Sequence, residues 1–501
     1  MKSSLLDKEV LCAYDIRAIQ KYIFQSNNNR DIIGASYILS TILYEAISYA
    51  MGQTLNSSEY SIYSVDIKGP DIDYVPYFDD RNVKAQVIEI GAGNAFVLYR
   101  TGRLCQTITR LIQRYFLEHT YSLQLASAVT LKTDVMSEDW DHLYEELDRI
   151  KNSAPFSAPF GALPIVRKEK ISALPVTGFD KFTGDELSTE SIIRHSHLDT
   201  AVDPSDDMNI EKQAFIHIDG NSMGLIIAKI VSSRPDYLSE IKIKRRVAEY
   251  IQRKIDDALS VTEKYLQDRM THDELSFQKN YRRLHVGGDD VNIFCYADYA
   301  MDFVEIFVRE ISRTPLWDDE RTGVIYLTVC AGIGYTTGIK DFGLGLRLAE
   351  QCCASAKKEA KKPENLINGA PGNWIDFQIS DSRYINDVDA ERETSYKVSR
   401  SRNLCLRPYC LDDARKDTPT YYGNLQEYMR MFPEVVKSDA IRREFRDMYL
   451  LSPETVDGLL LKYWDIFAGS LDVLGKPYVS VPGREGLYAA WYDALELITR
   501  G

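Results

Sequence analysis

The chain has 501 residues, 45% hydrophobic and 27% charged, the balance of a globular protein with material for about three domains. Its formal net charge of −14 argues against a nucleic-acid coat, which needs a basic surface. No run of eighteen apolar residues offers a membrane span and no cleavable signal opens the chain. The eight scattered cysteines contain no Cys-x-x-Cys pair, so zinc-ribbon and disulfide scaffolds are set aside and a cytoplasmic, reducing location is expected.

In chain order, a strand is expected over 10–16 (VLCAYDI), then a long amphipathic stretch over 19–51 interrupted by a polar Asn run. A hairpin follows over 84–100 (KAQVIEIGAGNAFVLYR), then a helix over 104–119 and a strand over 122–131. The second half repeats this order by shape rather than by letter. A strand over 213–219 (QAFIHID) leads to a helix over 241–267, a hairpin over 282–296 (RRLHVGGDDVNIFCY), a helix over 299–312 and a strand over 324–335. One more helix, over 344–362, closes the repeat. Both halves spell β-α-β-β-α-β, so the expected fold class is α+β, two ferredoxin-like (βαββαβ) units in tandem followed by a helical domain. The expected boundaries are 1–150, a Pro-containing connector over 151–210 with a short hairpin, 211–395, and a helical part over 396–501, where SPET (452–455) carries a capping-box signal.

The basic clusters KIKRR (242–246), RR (282–283) and KKEAKK (357–362) are each expected to be solvated faces. No histidines form a paired metal signature, and His195 and His197 in RHSHLD are expected in a surface loop.

In a β-α-β-β-α-β sheet the end of the first strand lies beside the turn of the central hairpin. Asp219 ends the first strand of the second unit, and Asp289 and Asp290 follow Gly287 and Gly288 at its hairpin tip. The tetrapeptide alone reads as a solvated turn, since Gly and Asp are ordinary turn formers. Three converging carboxylates, however, raise one another's pKa unless a cation relieves them. Two Mg²⁺ or Mn²⁺ ions about 4 Å apart would do so and would suit an in-line phosphoryl displacement. Gly287 and Gly288, without side chains, would let a nucleotide approach the backbone closely. The first unit keeps glycines at its tip (GAGN, 91–94) but has no carboxylates there. Its strand-end Asp15 has no evident partner and is either a relic of a site or, as is expected, a cap where the strand passes to the helix that follows.

With the GGDD turn preceded by DGNSMG (219–224), the chain resembles the palm-containing large subunit of type III CRISPR effector complexes, the family that makes cyclic oligoadenylates from ATP. DIRAIQKYIF (15–24) resembles the opening of that family's first palm and GAGNAFVLYR its inactive hairpin. LTVCAGIGY with LAEQCCASAKKEAKK resembles the end of the second palm, and LCLRPY (404–409) its terminus. The resemblance implies that Asp219, Asp289 and Asp290 carry metals and catalysis. It implies that Gly287, Gly288, Asn221 and Ser222 shape the nucleotide pocket, and that Lys357 or Lys361 reaches triphosphate oxygens. Two departures stand out: Asn221 occupies a position where many members have a second Asp, and the connector lacks the paired cysteines that often bind zinc. No His-Asp nuclease segment precedes the first palm, so cleavage of single-stranded DNA is not expected.

The leading expectation is therefore a metal-dependent nucleotidyltransferase that turns ATP or another NTP into a linear or cyclic messenger for a downstream antiphage effector. It would act inside a CRISPR effector with guide RNA, or alone, or as a homodimer. A catalytically weak scaffold subunit is the alternative. A diguanylate-type cyclase comes third, because Val291 follows Asp290 where that family has an acidic residue and Phe.

Overall fold

The computed structural model describes residues 5–23, 25–26, 29–65, 71–91, 93–153, 164–170, 172–180, 184–197, 212–232, 236–336, 342–380, 385–467 and 475–500. Much of the expected connector, 154–163 and 198–211, lies outside them.

The first unit runs β1 (Val10–Arg17), α1 (Asn29–Thr54), β2 (Ala85–Gly91), β3 (Asn94–Tyr99), α2 (Gly102–Thr120), β4 (Gln124–Leu131) and α3 (Met136–Ser153). Its sheet has the order β2-β3-β1-β4, with a two-residue strand, Tyr60–Ser61, outside β2. Alternation divides β1 between two cores. Val10, Cys12, Tyr14 and Ile16 pack with α1 and α2, while Leu11 and Ala13 pack with Leu143 and Leu147 of α3. Helix α1 is long and apolar enough to cross a membrane by length and composition, but half of that window is buried in the fold. Its Ile38, Ile42 and Ile47 lie in the core.

The second unit follows α4 (Thr189–Ser196) and runs β5 (Gln213–Gly220), α5 (Met223–Val231), α6 (Tyr237–His272), β6 (Tyr281–Gly287), β7 (Asp290–Tyr296), α7 (Ala300–Ser312), β8 (Val329–Thr336), α8 (Phe342–Ala360) and β9 (Trp374–Ser380). The order β8-β5-β7-β6 is the expected ferredoxin-like arrangement, extended by β9 parallel to β8 and by the pair Tyr409–Cys410. Ile216, Ile218, Val291, Ile293 and Ala331 turn toward α6 and α7. Phe215 and Phe294 turn the other way, into a core shared with Leu346 of α8 and with α1 of the first unit. Each sheet thus lends a face to a helix of the other half.

Three expectations change here. The KIKRR cluster is not a solvated face: Lys244 pairs with Glu89 of β2. Arg245 is fully buried and donates to the carbonyls of Ile72, Tyr74, Val87 and Ile88 at 2.7–3.0 Å. Asp15 is not a cap but an ion-pair partner of Lys151 on α3, at 2.8 Å. His195 is not in a surface loop. It lies in α4 with Nε2 2.9 Å from Asp31 and Nδ1 3.4 Å from Asp180, pinning the connector to α1.

The C-terminal part carries α9 (Tyr422–Val435), α10 (Asp439–Met448), α11 (Pro453–Lys462) and α12 (Tyr492–Arg500), with the Ser452/Thr455 capping box formed as expected. It also holds a small four-stranded sheet that periodicity missed, including Leu487–Ala489. The last helix starts at Tyr492, after that strand, and Gly486 before the strand has φ +88°, outside helical space. Arg407, fully buried, holds Asp493 and Glu496 of α12, each at 2.8 Å, and so ties this part to the second sheet.

Candidate active site

The hairpin β6–β7 closes on a two-residue turn, Gly288–Asp289, with Gly287 paired to Asp290. Gly288 has φ +61°, the mirror-image turn geometry that matches strand twist and favours glycine. Val291 pairs with Ile218 and Asn292 with His217, so continuing the register sets Asp290 opposite Asp219. Strand alternation then puts His217, Asp219, Asp290 and Asn292 on the face that α8 covers.

Along α8, Glu350, Cys353 and Lys357 fall at i, i+3 and i+7, one stripe of the helix. Lys357 forms an ion pair with Asp219. Burial works against the lysine's charge, but the bond to Asp219 outweighs it and holds its pKa above the ordinary value. Lys361 is exposed in the turn after the helix, one helical turn further along. Asp289 leans toward the end of β5: a Cβ on Gly220 would lie 2.5 Å from its Oδ2, so only glycine leaves the carboxylate its place. Burial, and then the charge of Asp219, push the Asp289 carboxyl up to about 6. Asp290 is tied inward. Its Oδ1 accepts from Asn292 Nδ2 at 2.8 Å and lies 3.3 Å from Nδ1 of His217, a ring itself 2.9 Å from Asn292 Oδ1. Burial opposes a charged His217, yet the contacts with Asp290 and Cys353 prevail and raise its pKa well above the ordinary range.

The structure thus brings Asp219, Asp289 and Lys357 together at one sheet edge, with Asp290 beside them. Asn221 is placed otherwise. It is buried, its amide donates to Thr328 and Gly372, and its carbonyl accepts from Cys330, so it braces the β5–β8 ends. Ser222 opens α5 in the left-handed region, φ +56°, and its hydroxyl makes no cap. A non-glycine residue held there is strained by about 1–3 kcal/mol, as at many functional turns. Sequence reasoning missed Gly220 and His217. The first stands next to Asp219 and could have been flagged, whereas the second shows only once cross-strand register is known.

Among the described residues no group of three or more His, Cys, Asp or Glu side chains is arranged to hold an ion. The donor set nevertheless suits a hard divalent cation that brings its own oxygens. Mg²⁺ is commonly held by one or two carboxylates plus phosphate and water, and Asp219 with the charge-strained Asp289 is such a pair.

No protein-family model and no curated protein matches the sequence. Solved structures do match. A Csm1–Csm4 cassette in complex with AMPPNP aligns over 99% of this chain and 70% of that chain, with a TM-score of 0.55 and 12% identity. The cassette in complex with pppApA aligns over 98% and 69%, with a TM-score of 0.55 and 12% identity. Csm1 from T. onnurineus aligns over 99% and 70%, with a TM-score of 0.52 and 14% identity. At such identity the likeness is one of fold: tandem palm units with a helical domain, as in Csm1.

Proposed function

We propose that the chain is a Cas10-like palm subunit that binds ATP at the β5 end and β6–β7 turn and joins nucleotides into a messenger. The observation that carries this reading is the half-buried Asp219–Asp289 pair faced by Lys357, on a fold whose solved examples include complexes with AMPPNP and pppApA. Asp219 and Asp289, with the outer oxygen of Asp290, would hold the divalent ions. Such ions supply charge neutralisation at the reacting phosphate when bound. Lys357 would exchange Asp219 for a phosphate oxygen, a change of partner that leaves the lysine charged throughout. Gly287 and Gly288 leave the hairpin tip without side chains where a nucleotide would lie. In the reaction a 3′-hydroxyl attacks the α-phosphorus of ATP and gives up its proton to solvent, the bond to the β-phosphate breaks, and pyrophosphate leaves with that electron pair. Much of the acceleration would come from holding the two nucleotides in register. By analogy with the Csm1–Csm4 cassettes, the chain would work beside a second effector subunit.

A weak scaffold role is the second reading, favoured by the ties that Asp219 and Asp290 already have to Lys357 and His217. Incubation with each labelled NTP and Mg²⁺ or Mn²⁺, followed by mass analysis, separates the two. A pyrophosphate-releasing oligonucleotide product, lost in Asp289→Asn, supports the enzyme. No product under any NTP and metal, with the presumed partner subunit present, supports the scaffold.

A further inference from the structure

One residue pair behind the carboxylates, His217 of β5 and Asn292 of β7 face each other across the strands. Both are buried, and among the described residues the carboxylate at hydrogen-bond distance from them is that of Asp290, through its Oδ1. Nothing in the proposed chemistry uses either side chain. A buried amide and imidazole inside a sheet cost free energy unless they do something an apolar pair would not. We infer that His217 and Asn292 are positioning residues: they hold Oδ1 of Asp290 inward, so that Asp290 offers a single oxygen to the Asp219–Asp289 pair.

The inference rests on the proposed reading of the site and adds a division of labour to it. Asp219 and Asp289 are the primary donors, and Asp290 is a one-oxygen auxiliary whose direction is set from behind. Without the clasp Asp290 would swing about its χ angles, and both of its oxygens would crowd two carboxylates already repelling each other. Outer contacts of this kind are worth about 10–100-fold in metal affinity where they have been removed. Cys353 of α8 also hydrogen-bonds the imidazole, Glu350 of the same helix lies within reach of its charge, and the ring itself is buried.

The test is a double-mutant cycle read by Mn²⁺ binding to the full chain in electron paramagnetic resonance, with Mn²⁺ alone as probe. His217→Phe keeps the ring's bulk and removes its hydrogen bonds, and His217→Gln restores a donor. Each is made in the parent and in Asp290→Asn, and thermal melting selects the variants that stay folded. If the clasp acts through Asp290, His217→Phe weakens Mn²⁺ about tenfold in the parent and not at all in Asp290→Asn. His217→Gln recovers part of the loss, and kcat for any nucleotide product falls more than KM for ATP rises. Equal Mn²⁺ loss in both backgrounds, or none in either while Asp290→Asn itself weakens Mn²⁺, overturns the clasp and leaves the site standing. A parent whose Mn²⁺ binding is unaffected by Asp219→Asn and Asp289→Asn overturns the reading of the site, and the clasp with it.

Discussion

Asp289 carries a charge that the fold does not favour. Its folded pKa of about 6 is above its ordinary value of 3.8. Below the lower figure it is protonated in both states and costs nothing. As pH rises between the two, the unfolded chain sheds its proton while the folded one keeps it, so stability falls and the penalty is complete above pH 6. In metal-free buffer Asp289→Asn is therefore expected to melt a few degrees above the parent at pH 7, with the gain fading toward pH 4. A lower melting temperature at pH 7 would mean that the carboxylate serves the fold instead. Lys357 and Lys361 form a matched pair of tests. Lys357→Ala removes the cation that faces Asp219 and should raise the apparent KM for ATP by about tenfold or more, the size of one charge-assisted bond. Lys361→Ala, exposed beyond the helix, should leave it unchanged. Equal effects would relocate the phosphate contact.

At the scale of elements, the position of Lys357 is set by how closely α8 lies on β8. A Cβ on Gly332 would sit 1.9 Å from the carbonyl oxygen of Ala349 and 2.3 Å from the amide of Cys353. Gly332→Ala must push α8 off the sheet, at a cost of about 1–3 kcal/mol if the core yields. The variant should lose thermal stability and ATP affinity together, since Lys357 rides on the displaced helix. Full ATP affinity with a lowered melting temperature would uncouple the two. Elements of this kind were largely legible in the sequence. The strands over 10–16 and 213–219 and both hairpins announce themselves by period-two alternation, and Gly288–Asp289 by turn chemistry. What was not legible depends on contacts distant in sequence. Val324 and Ile325 read as the start of β8 but form a separate hairpin with Trp317–Asp319. His195, six residues into α4 and bridged to Asp31, gives no local sign that it is only partly exposed. Asn221 was expected at the nucleotide pocket through the resemblance alone, and only the contacts with Thr328 and Gly372 show where its amide goes.

For the whole molecule, the two palm units are held in one arrangement by a basic segment that composition alone consigns to solvent. Arg245 of α6 enters the first unit, stacks 4.2 Å from the Tyr63 ring centroid, and donates to four backbone carbonyls with no carboxylate among them. Burial lowers its pKa to about 10, so it remains charged at neutral pH, and the carbonyl dipoles solvate it in place of water. Lys244 beside it pairs with Glu89, the strand residue of the first unit that would otherwise be buried unpaired. Together Arg245 and Lys244 of α6 fix how the second unit sits on the first. Arg245→Met keeps the bulk of the stem but takes a donor from four carbonyls, of which Val87 keeps a second in Gln86 Nε2, at about 1–3 kcal/mol for each left unpaired where water cannot reach. Arg245→Lys keeps the charge but not the planar fork, and should recover only part of the loss. In scanning calorimetry the parent is expected to unfold with the palms as a single cooperative unit. Arg245→Met should lower that transition and divide it, with the first palm melting apart from the second. A single undivided transition at the parent's temperature would show that the shared apolar core around Phe215, Leu346 and α1 suffices to hold the palms together, and that Arg245 is dispensable to their alignment.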